Sequence, residues 1–363
     1  MLIYMKELSF DDAFPKFILI ELLKYLDLNS ILNCGLICKK FYNAMKHESL
    51  WKYMNEKYEY DKLVDNKYKN FEISHGINII KNIINVDKSI KKLYKIKTLY
   101  FEHNYVPKQI KYLTNLRSLE LNIKNKCKIP KEIKYLEKLQ SLGINMPYTK
   151  KIPTEIQYLQ NLTVLSINMS RIKKIPKELF KLTKLMTLSI KCNIKSISNK
   201  IDCLKNLEEL FITHSQLKKF PHYLKNLKEL FITHSQLKKF PHCNKKINHI
   251  NLSENKITKI PKCINKYKQL EILDVAGNGI KKIPKITNEL KNFSMLFAEE
   301  NNIKQIPIIK TLEHLNVSYN KIKKIPKKII KMKNLEYLNV YCNDKIKYVP
   351  IDIFKSAKLI FKT

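Results

Sequence analysis

The chain has 363 residues, 44% of them hydrophobic, and carries 69 basic against 32 acidic side chains for a formal charge of +37. No uncharged apolar run approaches the ~20 residues of a membrane span, and Lys6, Glu7, Asp11 and Asp12 break any signal-peptide pattern, which predicts an intracellular protein, cytoplasmic or nuclear, without membrane attachment. Only Arg117 and Arg171 among the basic residues are arginines, whereas nucleic-acid readers favour the bidentate arginine fork; the Lys, Ile and Asn surplus matches codon supply in an AT-rich genome, such as that of a large DNA virus or an AT-rich protist.

From Phe14 to Met54, 24 of 41 residues are apolar or aromatic. A unit of ~40 residues cannot hide that much alone, so part of this surface is expected to meet a partner. Ile18, Leu19, Leu22, Leu23 and Leu26 form a broad stripe on a helix opened by Phe14 and Pro15. Asp27, Asn29 and Ser30 interrupt it with side-chain oxygens able to cap a second helix carrying Ile31, Leu32, Leu36, Ile37 and Phe41. A third turn holds Leu50 and Trp51. The string FPKFILIELLKYLDLNSILNCGLICKKFYNAMKHESLW resembles the F-box, the three-helix module that attaches substrate receptors to the Skp-type adaptor of a cullin-RING ubiquitin ligase. The opening proline, the LL pair, the YLDL corner, the ICKKF run and the closing tryptophan fall at family spacing. Phe14, where leucine is common, and Gly35 in the second helix depart from it. The resemblance implies an F-box over 8–54, with Pro15, Leu22, Leu26, Leu28, Leu32 and Trp51 docking on the adaptor or supporting that docking.

Residues 55–95 follow, with Ile73, Ile77, Ile80 and Ile84 at helical spacing, and read as a helical linker and N-terminal cap. From Ile96 the chain repeats one unit, marked by an apolar-Pro pair at prolines 107, 130, 153, 176, 221, 241, 261, 284, 307, 326 and 350, with Ser198 standing in once. Upstream of each pair lies LxxLxLxxN. Its second and third leucine-type residues point inward from a short strand, and the Asn can bond backbone groups that the turn leaves unpaired. Asn fills that slot at 104, 193, 255, 278, 301, 320 and 343. Ser170, Ser215 and Ser235 are weaker substitutes, while Lys124 and Pro147 depart, so this ladder should be poorest around the second and third units. Proline suits the first position of a short convex helix, with Glu132, Glu155 and Glu178 in the first turn where the dipole favours an acid. Residues 204–223 and 224–243 agree at 18 of 20 positions, a tandem duplication. Its short period predicts an extended or tight-turn back wall and a local change of curvature.

The unit resembles the intracellular leucine-rich repeat, NxIxxIPxxIxxLxxL, of roughly 23 residues. Twelve units begin at 96, 116, 139, 162, 185, 207, 227, 247, 270, 293, 312 and 335. They imply an α/β solenoid, a leucine-rich-repeat horseshoe with a parallel concave sheet over 96–350. Residues 351–363 would close it as a C-terminal cap, with Leu359, Ile360 and Phe361 as a truncated final strand.

In such a horseshoe the third, fifth and seventh positions of LxxLxLx project from the concave sheet. These 36 sites hold one lysine, Lys191, where a proportional share is about six or seven, and the strand's aversion to lysine accounts for part of the deficit. The same set holds the acids Glu102, Glu120, Glu209, Glu229, Asp274 and Glu299, together with Tyr100, Phe211, Phe231, Phe297, Tyr337 and Tyr341. That composition predicts a target-binding face, mildly acidic with aromatic anchors, for a protein of basic or mixed surface.

Lysines gather instead as dyads at 150–151, 173–174, 218–219, 238–239, 281–282 and 323–324. Like charges ~5 Å apart on neighbouring units cost at most ~1 kcal/mol in water, so a solvated flank suffices. The alternative reading is a nucleic-acid or anionic-surface scaffold using this ladder. Cys192, His214, His234 and Glu254 share one slot, but a straight ladder does not surround an ion, and no metal is predicted. The eight cysteines contain no CxxC pair and read as free thiols. Without GxxxxGK[ST], GxGxxG, HExxH or GxSxG, no catalytic centre or cofactor is expected. The combined reading is a non-enzymatic substrate receptor that docks on the adaptor and presents an unidentified protein to the ligase.

Overall fold

A computed structural model of the protein describes residues 16–27, 31, 43–45, 47–86, 88–220, 224–242, 244–286, 289–343, 346 and 360–362. They divide into two compact units, 1–97 with 107–116, and 98–106 with 117–363.

The first unit is helical: α1 (Lys16–Lys24), α2 (Glu48–Lys57), α3 (Lys67–Ile84) and α4 (Ile90–Tyr94). Local chemistry sets the ends. The Asn66 side chain accepts from Lys69 N–H at 2.8 Å to start α3, and Asn85 ends it in the left-handed region at φ 48°. Leu19, Ile20 and Leu23 of α1 pack with Ile31, Ala44, Leu50, Trp51, Met54 and Phe71 in one core. Trp51 fixes its centre: the ring meets Tyr68 at 4.8 Å and Phe71 at 5.1 Å, and the indole N–H donates to the Met45 carbonyl. On α3 the spaced isoleucines behave as expected, with Ile73, Ile77 and Ile80 buried and Ile84 half-buried.

The unit also takes in residues 107–116, which the repeat pattern assigns to the solenoid. Gly76 explains the difference, because a Cβ there would fall 2.1 Å from the Tyr112 ring. The bare backbone of α3 therefore lets the turn Lys108–Tyr112 approach, and Tyr112 Oη donates to Glu72 Oε1 at 2.8 Å.

The second unit is built on one parallel sheet of thirteen strands in chain order. The first seven, β1 (Thr98–Glu102), β2 (Ser118–Asn122), β3 (Ser141–Asn145), β4 (Val164–Asn168), β5 (Thr187–Lys191), β6 (Glu209–Thr213) and β7 (Glu229–Thr233), run five residues each. The rest, β8 (His249–Asn251), β9 (Ile272–Asp274), β10 (Met295–Phe297), β11 (His314–Asn316), β12 (Tyr337–Asn339) and β13 (Ile360–Lys362), run three. The last is the truncated final strand, paired with β12. Register is strict, as Leu99 faces Leu119 and Leu119 faces Leu142, so inward leucines stack and the intervening positions face away from the core. The chain forms a leucine-rich-repeat solenoid preceded by helices that fit an F-box.

The back wall corrects one expectation. The convex turns, including Lys131–Tyr135, Thr154–Tyr158 and Lys177–Lys181, are short 3-10 helices, and each proline lies just before its helix instead of at its first position. Pro130 has φ −68° and ψ 147°, extended, and its carbonyl accepts from Ile133 N–H at 3.2 Å. Each of these turns has five residues, room for one tight turn with i to i+3 bonds. Among the described residues no helix separates β6, β7 and β8, the extended wall expected of the duplication.

Two kinds of unit succeed one another along the chain. In the second to fifth units the eighth residue of the motif, just before the asparagine slot, is Ile123, Met146, Met169 or Cys192 and is buried. From the sixth onward that residue takes a left-handed φ of 48–59°, at His214, His234, Glu254, Gly277, Glu300, Tyr319 and Cys342. The change swings the next side chain inward, and the asparagine ladder forms over 255, 278, 301, 320 and 343.

Candidate functional site

On the F-box-like helices, the packing of α1 leaves a distinct outer surface. Leu22 is 40% and Tyr25 87% exposed, while Leu26 packs half-buried against the core. Trp51, at 1% exposure, has no surface to offer a partner and instead sits in the core that holds α2. Pro15, Leu28 and Leu32 lie outside the described residues.

The exposed face of the sheet holds three clusters. Across β1–β4 the side chains are polar and mutually bonded. Tyr100 Oη donates to Glu102 Oε2 at 3.3 Å and accepts from Asn122 Nδ2 at 2.7 Å. Asn145 donates to Asn122 Oδ1 and Asn168 to Asn145 Oδ1, each at 2.8 Å, so the amides form a row across three strands. Sequence reading missed this row, although asparagine at the seventh position of three consecutive units was its signal. Glu120 lies over Gly143, where a Cβ would fall 1.5 Å from its Oε2. Burial raises the pKa of that carboxyl.

The second cluster spans β5–β8. Glu209 and Glu229 are direct partners in register, as are Phe211 and Phe231, whose rings lie 4.8 Å apart. Thr187 Oγ1 donates to Glu209 Oε2 at 3.0 Å, and the His249 ring approaches Phe231 at 4.5 Å. Burial, then the charge of Glu209, raises the Glu229 pKa, while burial lowers that of His249.

In the third, Asp274 Oδ1 accepts from Ala276 N–H and Oδ2 from Asn251 Nδ2, both at 3.0 Å. Phe297 is its register partner, and Glu299 follows two residues on with a buried Oε2 that has no hydrogen-bond partner. Burial raises both carboxyls. At the C-terminal end Tyr337 meets His314 at 5.9 Å, and the exposed Tyr341 meets Tyr319 edge-on at 5.7 Å. Lys191 is exposed on this face beside Asn168 and Thr213.

The flank lysines of all six dyads are exposed. The shared slot of Cys192, His214, His234 and Glu254 does not give four equivalent side chains: Cys192 is buried, whereas the two histidines are exposed and stack at 4.8 Å. The left-handed turn begins only after Cys192, which accounts for the break. Among the described residues no helix is long and apolar enough to cross a membrane.

Comparison with known families and folds agrees with this architecture. An F-box-like family model matches residues 12–57, a leucine-rich repeat region model 133–246, and a model of two leucine-rich repeat copies 310–352. A search of curated proteins returns no significant match. Among solved structures, an internalin (InlF) from Listeria monocytogenes aligns with TM-score 0.62 at 21% identity, over 80% of this chain and 87% of its own. A TDR receptor aligns at 0.57 and 22% identity over 74% and 55%, and TLR13 in complex with ssRNA13 at 0.55 and 19% identity over 81% and 50%. These likenesses establish the fold alone, and none supports a viral source. The chain thus joins an F-box-like domain to leucine-rich repeats and has the architecture of an F-box/leucine-rich-repeat protein.

Proposed function

We propose that the protein is a non-enzymatic substrate receptor of a Skp-cullin-F-box type ubiquitin ligase, acting in the cytoplasm or nucleus. The observation that carries this reading is the pairing of an F-box-like segment with a repeat sheet whose exposed face is poor in lysine and rich in acids and aromatics. Adaptor docking falls to Pro15, Leu22, Leu26, Leu28 and Leu32, with Trp51 in support. The target face comprises the acids Glu120, Glu209, Glu229, Asp274 and Glu299 with Tyr100, Phe211, Phe231, Phe297, Tyr337 and Tyr341. Aromatic anchors within a mainly acidic face favour a protein of complementary, basic or mixed surface.

Co-purification of the full chain with a Skp-type adaptor tests the docking half. Wild type should recover the adaptor and a Pro15→Ala, Leu22→Ala variant should lose it; Leu22 is exposed, so its truncation spares the core. Equal recovery from both, or none from either, removes the docking claim. The exposed dyads keep a second reading in view, a scaffold for nucleic acid or an anionic surface. It requires affinity that falls steeply with salt, and a filter-binding titration without such affinity eliminates it.

A further inference from the structure

In most units the interior is filled by one large apolar residue two positions beyond the asparagine slot; in the fifth unit that position is the exposed Lys195 and the neighbouring Ile194 is buried instead. Ile172, Leu217, Ile257, Ile280, Ile303 and Ile322 hold the filler position, each at most 1% exposed. In the second and third units the position falls to Lys126, which is exposed, and to Thr149, whose Oγ1 donates to the Cys127 carbonyl at 2.8 Å. The asparagine clamp is absent here too, as it is at Ile172, whose backbone N–H goes to the Met169 carbonyl, and at Leu217, whose N–H goes to Ser215 Oγ. In later units each asparagine accepts from the backbone N–H of the filler one unit earlier, as Asn301 does from Ile280 at 2.9 Å. The slots that would serve Lys126 and Thr149 hold Pro147 and Ser170.

Along these two units lies a groove of about 610 Å³. Its apolar lining includes the buried Ile129 and Ile152, with Pro153 and the Tyr148 ring beside them. The exposed Lys126, Lys128, Lys131, Lys150 and Lys151 line it as well. The single acid of the lining, Glu155, lies 4.0 Å from Lys131 and leaves the other lysines without a lining counter-charge. Arg171 stacks 5.2 Å from the centre of the Tyr148 ring and steadies it. Burial raises the Cys127 thiol pKa, so the cysteine supplies no anion at neutral pH.

We propose that this groove binds a small amphiphilic anion, a phosphate monoester of a flat apolar body, with the body on Ile129, Ile152 and Tyr148 and the headgroup among the lysines. The volume lies within the range of small-molecule sites. An uncharged apolar ligand would leave the lysines unused, and bare phosphate would leave the apolar lining wet. A monoester carries close to two negative charges at neutral pH, which clustered ammonium groups match as point charges. None of its lining residues belongs to α1 or to a strand of the sheet.

Calorimetric titration of the full chain with naphthyl phosphate at low salt is the test, with naphthol and inorganic phosphate as controls. One site is expected, with each control weaker by about tenfold or more. Thr149→Ile restores the apolar column and should weaken binding by a similar factor without lowering the melting temperature. Lys150→Ala with Lys151→Ala should also weaken it, whereas the equivalent change at Lys173 and Lys174 in the next unit should not. Should Thr149→Ile fail to fold, the two lysine variants decide. Undiminished affinity in both the Thr149 and Lys150/Lys151 variants, equal affinity for inorganic phosphate, or no binding of naphthyl phosphate at all would overturn the proposal.

Discussion

Asn301 shows how one side chain can hold three segments of backbone. Its Nδ2 donates to the carbonyls of Val275 at 2.9 Å, Ala298 at 3.3 Å and Glu299 at 2.9 Å, while Oδ1 accepts from Ile280 N–H at 2.9 Å. This reach depends on Glu300, whose φ of 52° turns the amide inward. Asn193 follows the buried Cys192, which lacks that backbone conformation, and Asn193 is exposed. Replacing Asn301 with alanine should therefore cost about 1–3 kcal/mol, because buried backbone groups lose their partners. Asn193→Ala should stay within about 0.5 kcal/mol, as surface changes do. Urea denaturation of the two variants makes the comparison, and equal costs would refute a conformational switch at the preceding residue. The asparagine slot was legible in the sequence; the switch was not, because His, Glu, Tyr and Cys do not advertise a left-handed φ as Gly277 does.

At the scale of elements, what the sequence revealed follows from period. Strands alternate every second residue, so their inward leucines were legible throughout. The convex turns were not, since five residues after a proline fit an α-helical or a 3-10 turn equally well on paper, and only the i to i+3 bonding of Ile133 to Pro130 distinguishes them. Contacts between units were the hardest to foresee. Nothing in the third unit alone says that Gly143 lies beneath Glu120, and nothing in the first says that Lys108–Tyr112 packs on α3. The duplicated units offer a direct experiment on this nearest-neighbour logic. Deleting 224–243 brings β6 to β8 with the same residues that β7 now presents, apart from the Glu208/Lys228 and Tyr223/Cys243 differences. The shortened protein should fold with unchanged strand signature by circular dichroism and a modestly lower melting temperature. An unfolded or aggregated product would show that the duplicated unit is not interchangeable.

For the whole molecule the dominant quantity is the charge of +37, which is poorly neutralised. Among the described residues, ion pairs such as Lys228–Glu208 and Lys62–Asp65, both at 2.8 Å, are exposed or half-exposed and worth little individually. Six of the 32 acids lie on the sheet face, away from the lysine dyads, and burial there raises the pKa of Glu120, Glu229, Asp274 and Glu299. Repulsion along the lysine flank therefore acts across units with only salt to screen it. Raising ionic strength from about 0.01 M to about 0.15 M contracts the screening length from roughly 30 Å to roughly 8 Å. The melting temperature should rise over that interval, by roughly 2–4 °C for each kcal/mol of repulsion relieved, and a flat or falling profile would show that the flank is already neutralised. The same titration separates the two halves of the proposed receptor. Docking through Leu22 and its apolar neighbours should survive the added salt, whereas a basic target held by carboxylates should dissociate faster and associate more slowly. An adaptor complex that falls apart with salt would instead place charge, and not the apolar surface of α1, at the centre of docking.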